Sequence, residues 1–362
     1  MIRQMKWQSR AVSDEIVWNA VTRVLVVRLR SIGDTVLATP SLIALRRFLP
    51  DAEIDILLED WVAPVLDGFD VVDNVISVGK STSERLKTAW KLRGQTYDVA
   101  FNLHGGTTAT MFVRASDARH RIGYSYYQYP FLYNHLLSSA TDFWKCEKTH
   151  SAEQQLALLG FVGVPVDERP KSKLIVTAQA EKSIETRLSE SAIRNPQSAI
   201  ALLHPSTAFF TKQWPVENYA RTAEFLADKG LLVIAVGSKT ESKVLDDLKS
   251  LSAIPVTTFD DLSLPEITAL ASKARIFIGN DSGIAHIAAA VQTPSVVIFG
   301  SSNRDHWRPW TDAPNEVVYK EFTCQPCPGY ECKEFGDAPC IRDIAPSAVF
   351  TAIEHLLDTI RL

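Results

Sequence analysis

The feature that most constrains this chain is an alternation running almost its whole length. Short β-branched runs are each followed by a polar, often glycine-bearing loop and then by a segment of helical period. Arg23-Val-Leu-Val-Val-Arg-Leu29 is apolar enough for a strand buried on both faces. Ser31-Ile-Gly-Asp34 breaks it, and apolar residues then recur with a helical period over 36–48 until Pro50 stops them. Strand-like runs return at 54–58, 75–78 and 99–103, with helical segments at 61–66 and 84–92. This order predicts a parallel sheet covered by helices on both faces.

The pattern loosens over 119–170, where Tyr124-Ser-Tyr-Tyr-Gln-Tyr129 reads as a long loop that could pack or stack on sugars. Residues 171–176 and a charged helix at 180–189 bridge to a second alternation of the same kind. Its strands fall at 199–203, 231–236, 256–259, 276–278 and 295–299, and its helices at 216–229, 241–251, 265–273 and 283–291. At about 150 residues per domain, 362 residues accommodate two such units. The expected division is an extension 1–22, an α/β unit 23–176, a second unit 177–345 and a C-terminal helix 346–362.

Composition narrows the function classes. Acidic residues (42) outnumber basic ones (38), for a net charge of −4, which argues against a dedicated nucleic-acid binder. No apolar run reaches the roughly 18 residues of a membrane span, and 1–23 lacks the apolar stretch of a secretory signal. The expected address is the cytoplasm. Basic residues at 80–93, with Arg3, Lys6, Trp7 and Arg10, form either solvated faces or a contact with anionic lipid.

In doubly wound sheets, ligands bind beyond the carboxyl ends of the strands. Four strand ends are polar there: Ser31-Ile-Gly-Asp34, His104-Gly-Gly106, His204-Pro-Ser-Thr207 and Gly279-Asn-Asp-Ser-Gly283. Two belong to each unit, so the predicted site is a cleft between them. In Gly279-Asn-Asp-Ser-Gly-Ile-Ala-His286, Asp281 or Ser282 either caps the following helix or leaves its N-terminus to receive a phosphate. Gly283 permits close approach of a ligand, and His286, one turn on, either faces that ligand or packs in the interface. Ser206, Thr207 and Thr211 offer hydroxyls, and Lys212 a point charge suited to a diphosphate. Asp34 reads either as a helix cap or as a general base facing that phosphate site, with Gly33 letting the acceptor come close. Neither a G-x-x-x-x-G-K-[ST] loop nor a G-x-G-x-x-G fingerprint occurs, which disfavours a nicotinamide oxidoreductase.

Together, R-V-L-V-V-R-L-R-S-I-G-D-T-V-L-A-T-P at 23–40, the H-P-S-T…K-Q-W-P segment and G-N-D-S-G-I-A-H resemble glycosyltransferase family 9, the ADP-heptose:lipopolysaccharide heptosyltransferases. The likeness implies a GT-B fold, two Rossmann-like domains facing a central cleft. It implies an inverting, metal-independent transfer from an ADP-sugar to a saccharide acceptor such as a lipid-linked core. It makes Asp34 the base. Ser206, Thr207 and Lys212 would hold the diphosphate, and Asp281, Ser282, Gly283, Ile284 and His286 would surround it. No D-x-D occurs to bridge a diphosphate through a cation. Phe209-Phe210 departs from the family's charged loop. Glu241 is the candidate for the ribose, and His104, Arg119 and Arg121 are candidates for an acidic acceptor. Transfer of another sugar, transfer to a protein, or a silent nucleotide-sugar-binding scaffold are the alternatives.

Four of five cysteines fall within Cys324-x2-Cys327-x4-Cys332-x7-Cys340. A structural zinc or iron, disulfides and free thiols all fit that spacing, and a related branch of the family with an iron site adds weight to the metal. No catalytic cofactor is expected.

Overall fold

The structure is a computed structural model, and it describes residues 15–191, 199–327 and 330–360. Arg3, Lys6, Trp7 and Arg10 lie outside the described residues. The first half comprises β1 (Arg23–Leu29), α1 (Ile32–Val36), α2 (Thr39–Phe48), β2 (Glu53–Glu59), β3 (Asn74–Val78), α3 (Thr82–Arg93), β4 (Val99–Asn102), α4 (Gly106–Ala115), β5 (His120–Tyr124), β6 (His135–Leu137), α5 (Ala140–Trp144) and α6 (Ser151–Gly160). After α7 (Ala178–Glu190) come β7 (Ile200–His204), α8 (Val216–Asp228), β8 (Leu232–Val236), α9 (Ser242–Leu251), β9 (Thr257–Phe259), α10 (Leu264–Lys273), β10 (Ala274–Asn280) and α11 (Gly283–Ala290). The chain ends with β11 (Ser295–Phe299), α12 (Arg304–Trp307), β12 (Asn315–Tyr319), α13 (Pro339–Arg342) and α14 (Pro346–Thr359).

Both sheets have six parallel strands, in the orders β3-β2-β1-β4-β5-β6 and β12-β11-β10-β7-β8-β9. Counted within each half, these are the same winding, 3-2-1-4-5-6. The strand order reverses between β1 and β4 and again between β7 and β10. The four polar strand ends expected to bind ligand therefore lie at the two switch points, paired by register. Val27 sits beside Asn102, and Gly279 beside His204. The near-complete burial of β1, β4, β7 and β10 follows from their mainly Val, Ile, Leu, Ala and Phe content, with Arg275 the one exposed residue among them.

The structure departs from the sequence reading in places. The helix expected over 36–48 is two helices, broken at Leu37-Ala38 ahead of Pro40. The region read as loose, 119–170, contributes β5, β6, α5 and α6. The strand β12 was also missed, because its half-buried residues lack a strong pattern.

The two halves meet where α1 touches α11. A Cβ on Gly283 would lie 2.9 Å from Ile32 Cβ and 3.2 Å from the Gly33 nitrogen, and one on Gly33 would lie 2.7 Å from His286 Cδ2. Glycine at both positions is thus a requirement of close approach rather than of backbone conformation. A second seam binds 148–174 to 304–310. His150 Nε2 lies 2.8 Å from the Arg308 carbonyl and His306 Nδ1 lies 3.0 Å from the Thr149 carbonyl. Trp310 donates to the Pro170 carbonyl at 2.8 Å. Burial holds the His150 pKa down to about 3 and also lowers that of His306.

Two outcomes follow from this seam. Gly283→Ala lowers stability by about 1–3 kcal/mol, read from the denaturant midpoint. Gly94→Ala, where the nearest atom to a new Cβ is 3.5 Å away, leaves the midpoint unchanged. His150 resists a proton that the unfolded chain accepts near 6.5. Stability is therefore complete above that pH and falls as pH drops toward 3, by on the order of 1 kcal/mol per unit from this group. Unfolding titrations at pH 7 and pH 5 measure the difference, and His150→Gln removes its share.

Candidate active site

A cavity of about 630 Å³ opens between the two sheets. Ser31, Ile32, Gly33, Asp34 and Trp61 wall it from the first half. Thr207, Phe209, Lys212, Glu241, Asp281, Ser282, Gly283, Ile284 and His286 wall it from the second. Val236, Leu262, Leu264 and Ile267 give it an apolar part.

Asp34 is fixed by residues within one short turn. Ser31 is the N-cap of α1, and Asp34 is the third helical residue. The Asp34 carboxylate Oδ2 accepts the Ser31 hydroxyl at 3.0 Å and its N–H at 3.4 Å. Asp34 is thus not the N-cap that the sequence suggested but the other member of a capping pair. Its second oxygen pairs with the Arg28 guanidinium, whose Nε also donates to the Asp34 carbonyl at 3.3 Å. Burial alone would raise the carboxyl pKa, but Arg28 and Ser31 outweigh it and hold the group below its usual value. Arg28 is itself buried, and its Nη1 lies 3.0 Å from His104 Nδ1. His104 reaches Asp34 through Arg28, and its pKa is held down to about 4 by burial and then by that guanidinium.

On the opposite wall, Lys212 Nζ donates to Asp281 Oδ2 at 2.7 Å, and the same oxygen accepts the Ser302 hydroxyl at 2.6 Å. Asp281 therefore holds Lys212 toward the cavity and does not cap α11. Nor does Ser282, because its hydroxyl lies 3.1 Å from His204 Nδ1 and makes no cap bond. The first N–H groups of α11 are left facing the cavity, the arrangement that receives an anion. His286 packs its ring on Gly33. Burial lowers its pKa, and its Nδ1 has no hydrogen-bond partner among the described residues. Glu241 accepts Ser238 N–H and Oγ at 2.7 and 2.8 Å while lining the cavity.

Other candidates fall elsewhere. Ser206 is buried behind the loop with its hydroxyl unpartnered among the described residues, and it is not part of the cavity wall. Arg121 bonds the carbonyls of Leu132 and Ala118, a structural use, and neither it nor Arg119 reaches the cavity. Arg28, Ser302, Trp61 and Trp307 were not singled out from the sequence. Arg28 carries the one usable signal, a cation inside an otherwise apolar strand six residues before Asp34.

The metal expectation for the cysteines is corrected. Among the described residues, no three His, Cys, Asp or Glu side chains are grouped to hold a metal ion, and the cysteines are free. Cys340 is buried at the start of α13, Cys332 packs on the core of the second half, and Cys327 lies against the Ser301 carbonyl. Burial, with the neighbouring sulfurs adding to it, raises the thiol of Cys327 and pushes that of Cys340 up to about 11.

Known proteins resemble this chain in sequence and fold. Lipopolysaccharide heptosyltransferase 3 of Escherichia coli K12 is 27% identical over 300 residues, covering 77% of this chain and 83% of that one. The glycosyl transferase family 9 structure from Veillonella parvula superposes with a TM-score of 0.80 at 19% identity, covering 93% of this chain and 97% of that one. The E. coli heptosyltransferase WaaC with ADP-2-deoxy-2-fluoro heptose gives 0.69 at 19% identity, covering 92% and 99%. The fold is therefore GT-B. The profile of glycosyltransferase family 9 (heptosyltransferase) matches residues 85–336, well over half of the chain, and the protein belongs to that family of enzymes.

Proposed function

We propose that this glycosyltransferase moves a heptose from ADP-heptose to a saccharide of the lipopolysaccharide inner core, with inversion and without a divalent cation. The observation that carries the reading is a single cavity with a carboxylate on one wall and, on the other, a lysine beside an open helix N-terminus. The relatives' names supply the sugar, the nucleotide and the acceptor class.

The apolar part of the wall, Val236, Leu262, Leu264 and Ile267, takes the base, and Glu241 takes the ribose. The diphosphate lies against the N-terminus of α11, Thr207 and Lys212, which places the anomeric carbon toward Asp34. Asp34 accepts the proton of the acceptor hydroxyl as that oxygen attacks the anomeric carbon. The bond from that carbon to the diphosphate oxygen breaks, and the electron pair leaves with ADP. Lys212 and the α11 N–H groups meet the charge that develops there. One displacement inverts the centre. Arg28 keeps Asp34 ionised and oriented, at some loss of basicity, while neutral His286 and His104 add no competing charge. A lipid-linked core acceptor would place the reaction at the inner face of the inner membrane.

Three measurements test this reading. ADP at about a hundredfold excess over its Kd stabilises by about 3 kcal/mol, raising Tm by several degrees, while UDP and GDP do less. Equal indifference to all three would reject a sugar-nucleotide site. Asp34→Asn cuts transfer by about 10²–10⁴-fold and leaves the ADP shift in place. Arg28→Gln removes the cation that lowers the Asp34 pKa, leaving burial to raise it, so the acid limb of the kcat/KM profile moves to higher pH. A limb that stays put would detach Arg28 from the base.

A further inference from the structure

We infer that the outer face of α3 is a docking surface for an anionic lipid bilayer, an inference that rests on the lipid-linked acceptor proposed above. Of the twelve residues in this helix only Leu92 is buried, with Arg85, Thr88 and Ala89 half-buried beside it. At 100° per residue those four share one side, and Trp90 falls near the middle of the opposite one, flanked by Leu86, Lys87, Lys91 and Arg93. Trp90 is 84% exposed and Leu86 66% exposed, one turn apart. No other large hydrophobic side chain among the described residues is as exposed as Trp90. Packing does not account for a tryptophan in that position.

Charge identifies the partner. Lys80, Lys87, Lys91 and Arg93 are all exposed, and no salt bridge holds any of them among the described residues, Lys87 alone feeling the charge of Glu84. The one acidic side chain of the helix, Glu84, is turned back onto the Ser81 N–H at its start. An apolar ridge of Trp and Leu fringed by unpaired Lys and Arg matches the interface of an anionic bilayer. Indole sits at headgroup depth there, and each basic residue near the surface strengthens binding about fivefold. A protein partner would need acidic groups around an apolar pocket, and a second copy of this face would bring like charges together.

The location fits the acceptor. The helix α3 begins at the carboxyl end of β3, the end of the sheet at which the cavity opens. Its Arg85 lies 3.6 Å from Glu59, which accepts the Trp61 indole N–H at 2.8 Å, and Trp61 lines the cavity. Seating α3 on a bilayer sets the cavity mouth beside it, where a lipid-anchored saccharide projects.

The test is flotation of the full chain with vesicles of phosphatidylcholine alone and of phosphatidylcholine with about one-third anionic phospholipid. The protein floats with the anionic vesicles, stays behind with the neutral ones, and is released by high salt. Lys87→Glu/Lys91→Glu and, separately, Trp90→Ser each lower vesicle affinity about tenfold or more. The melting temperature and turnover on a delipidated acceptor stay at wild-type values. Equal flotation of wild type and variants, equal binding to neutral vesicles, or no binding to either would overturn the proposal. So would a dimer in sedimentation that Trp90→Ser dissolves. Turnover on the delipidated acceptor without flotation sinks the surface and spares the transferase, whereas flotation without turnover does the reverse.

Discussion

The architecture turns on one close approach, the backbone of Gly33 against that of Gly283 with the His286 ring between the strands' loops. Each glycine lies in a turn that leaves a central strand at its switch point, β1 in one half and β10 in the other. A side chain at either position would drive the turns apart by a few tenths of an ångström or more. Because Asp34 follows Gly33 directly and Ser282 and Asp281 precede Gly283, the polar groups of both halves are brought to one cavity by the same contact. The position of the site is therefore a packing result before it is an electrostatic one.

Electrostatics then decides what the cavity tolerates. Two carboxylates, Asp34 and Asp281, face a space proposed to hold a diphosphate, an arrangement that would repel the ligand if both charges were bare. Neither is bare. Asp34 is paired with buried Arg28, and Asp281 with Lys212 and the Ser302 hydroxyl. The buried histidines near them are held neutral, so the field that remains comes from Lys212 and the open end of α11. The same pairing that keeps Asp34 ionised weakens it as a base. That trade suits a reaction in which the leaving diphosphate, rather than proton removal, carries most of the charge development.

The alternation of strand and helix was legible in the sequence because buried parallel strands read as mostly β-branched runs, and two doubly wound units followed from it, though not the order of their strands. Legible too were the four strand-end loops, since polar and glycine residues at the carboxyl ends of such strands have few structural uses. What escaped was whatever tertiary contact decides. Arg28 looks like an interruption of β1 until Asp34 folds back on it. Ser206 shares a loop with Thr207 and Lys212 yet turns inward, which no spacing rule distinguishes. The strands β5 and β6 were hidden among tyrosines, and the two histidines they bring together, His120 and His135, lie 2.9 Å apart only because the strands pair. For the cysteines, spacing suggested a ligand set; the sulfurs do lie near one another, but packing distributes them so that no three metal-binding groups are placed to hold an ion among the described residues.

That distribution gives the cysteine-rich segment a physical role. The Cys327 N–H donates to the Ser301 carbonyl at 3.0 Å, and the Gln325 side chain donates to the Gly300 carbonyl at 2.7 Å. Ser301 in turn reaches Thr211, through its hydroxyl to Thr211 Oγ1 at 3.0 Å and through its N–H to the Thr211 carbonyl at 3.2 Å. A Cβ on Gly300 would lie 2.3 Å from that same carbonyl, so nothing larger fits between the segment and the loop. Phe209, two residues earlier, meets Tyr330 edge-on at 4.7 Å. Lys212 is next in the chain after Thr211. Gln325, Cys327 and Tyr330 thus buttress the loop that carries Lys212, and in the proposed reaction such a buttress would limit how far Lys212 could follow the leaving group.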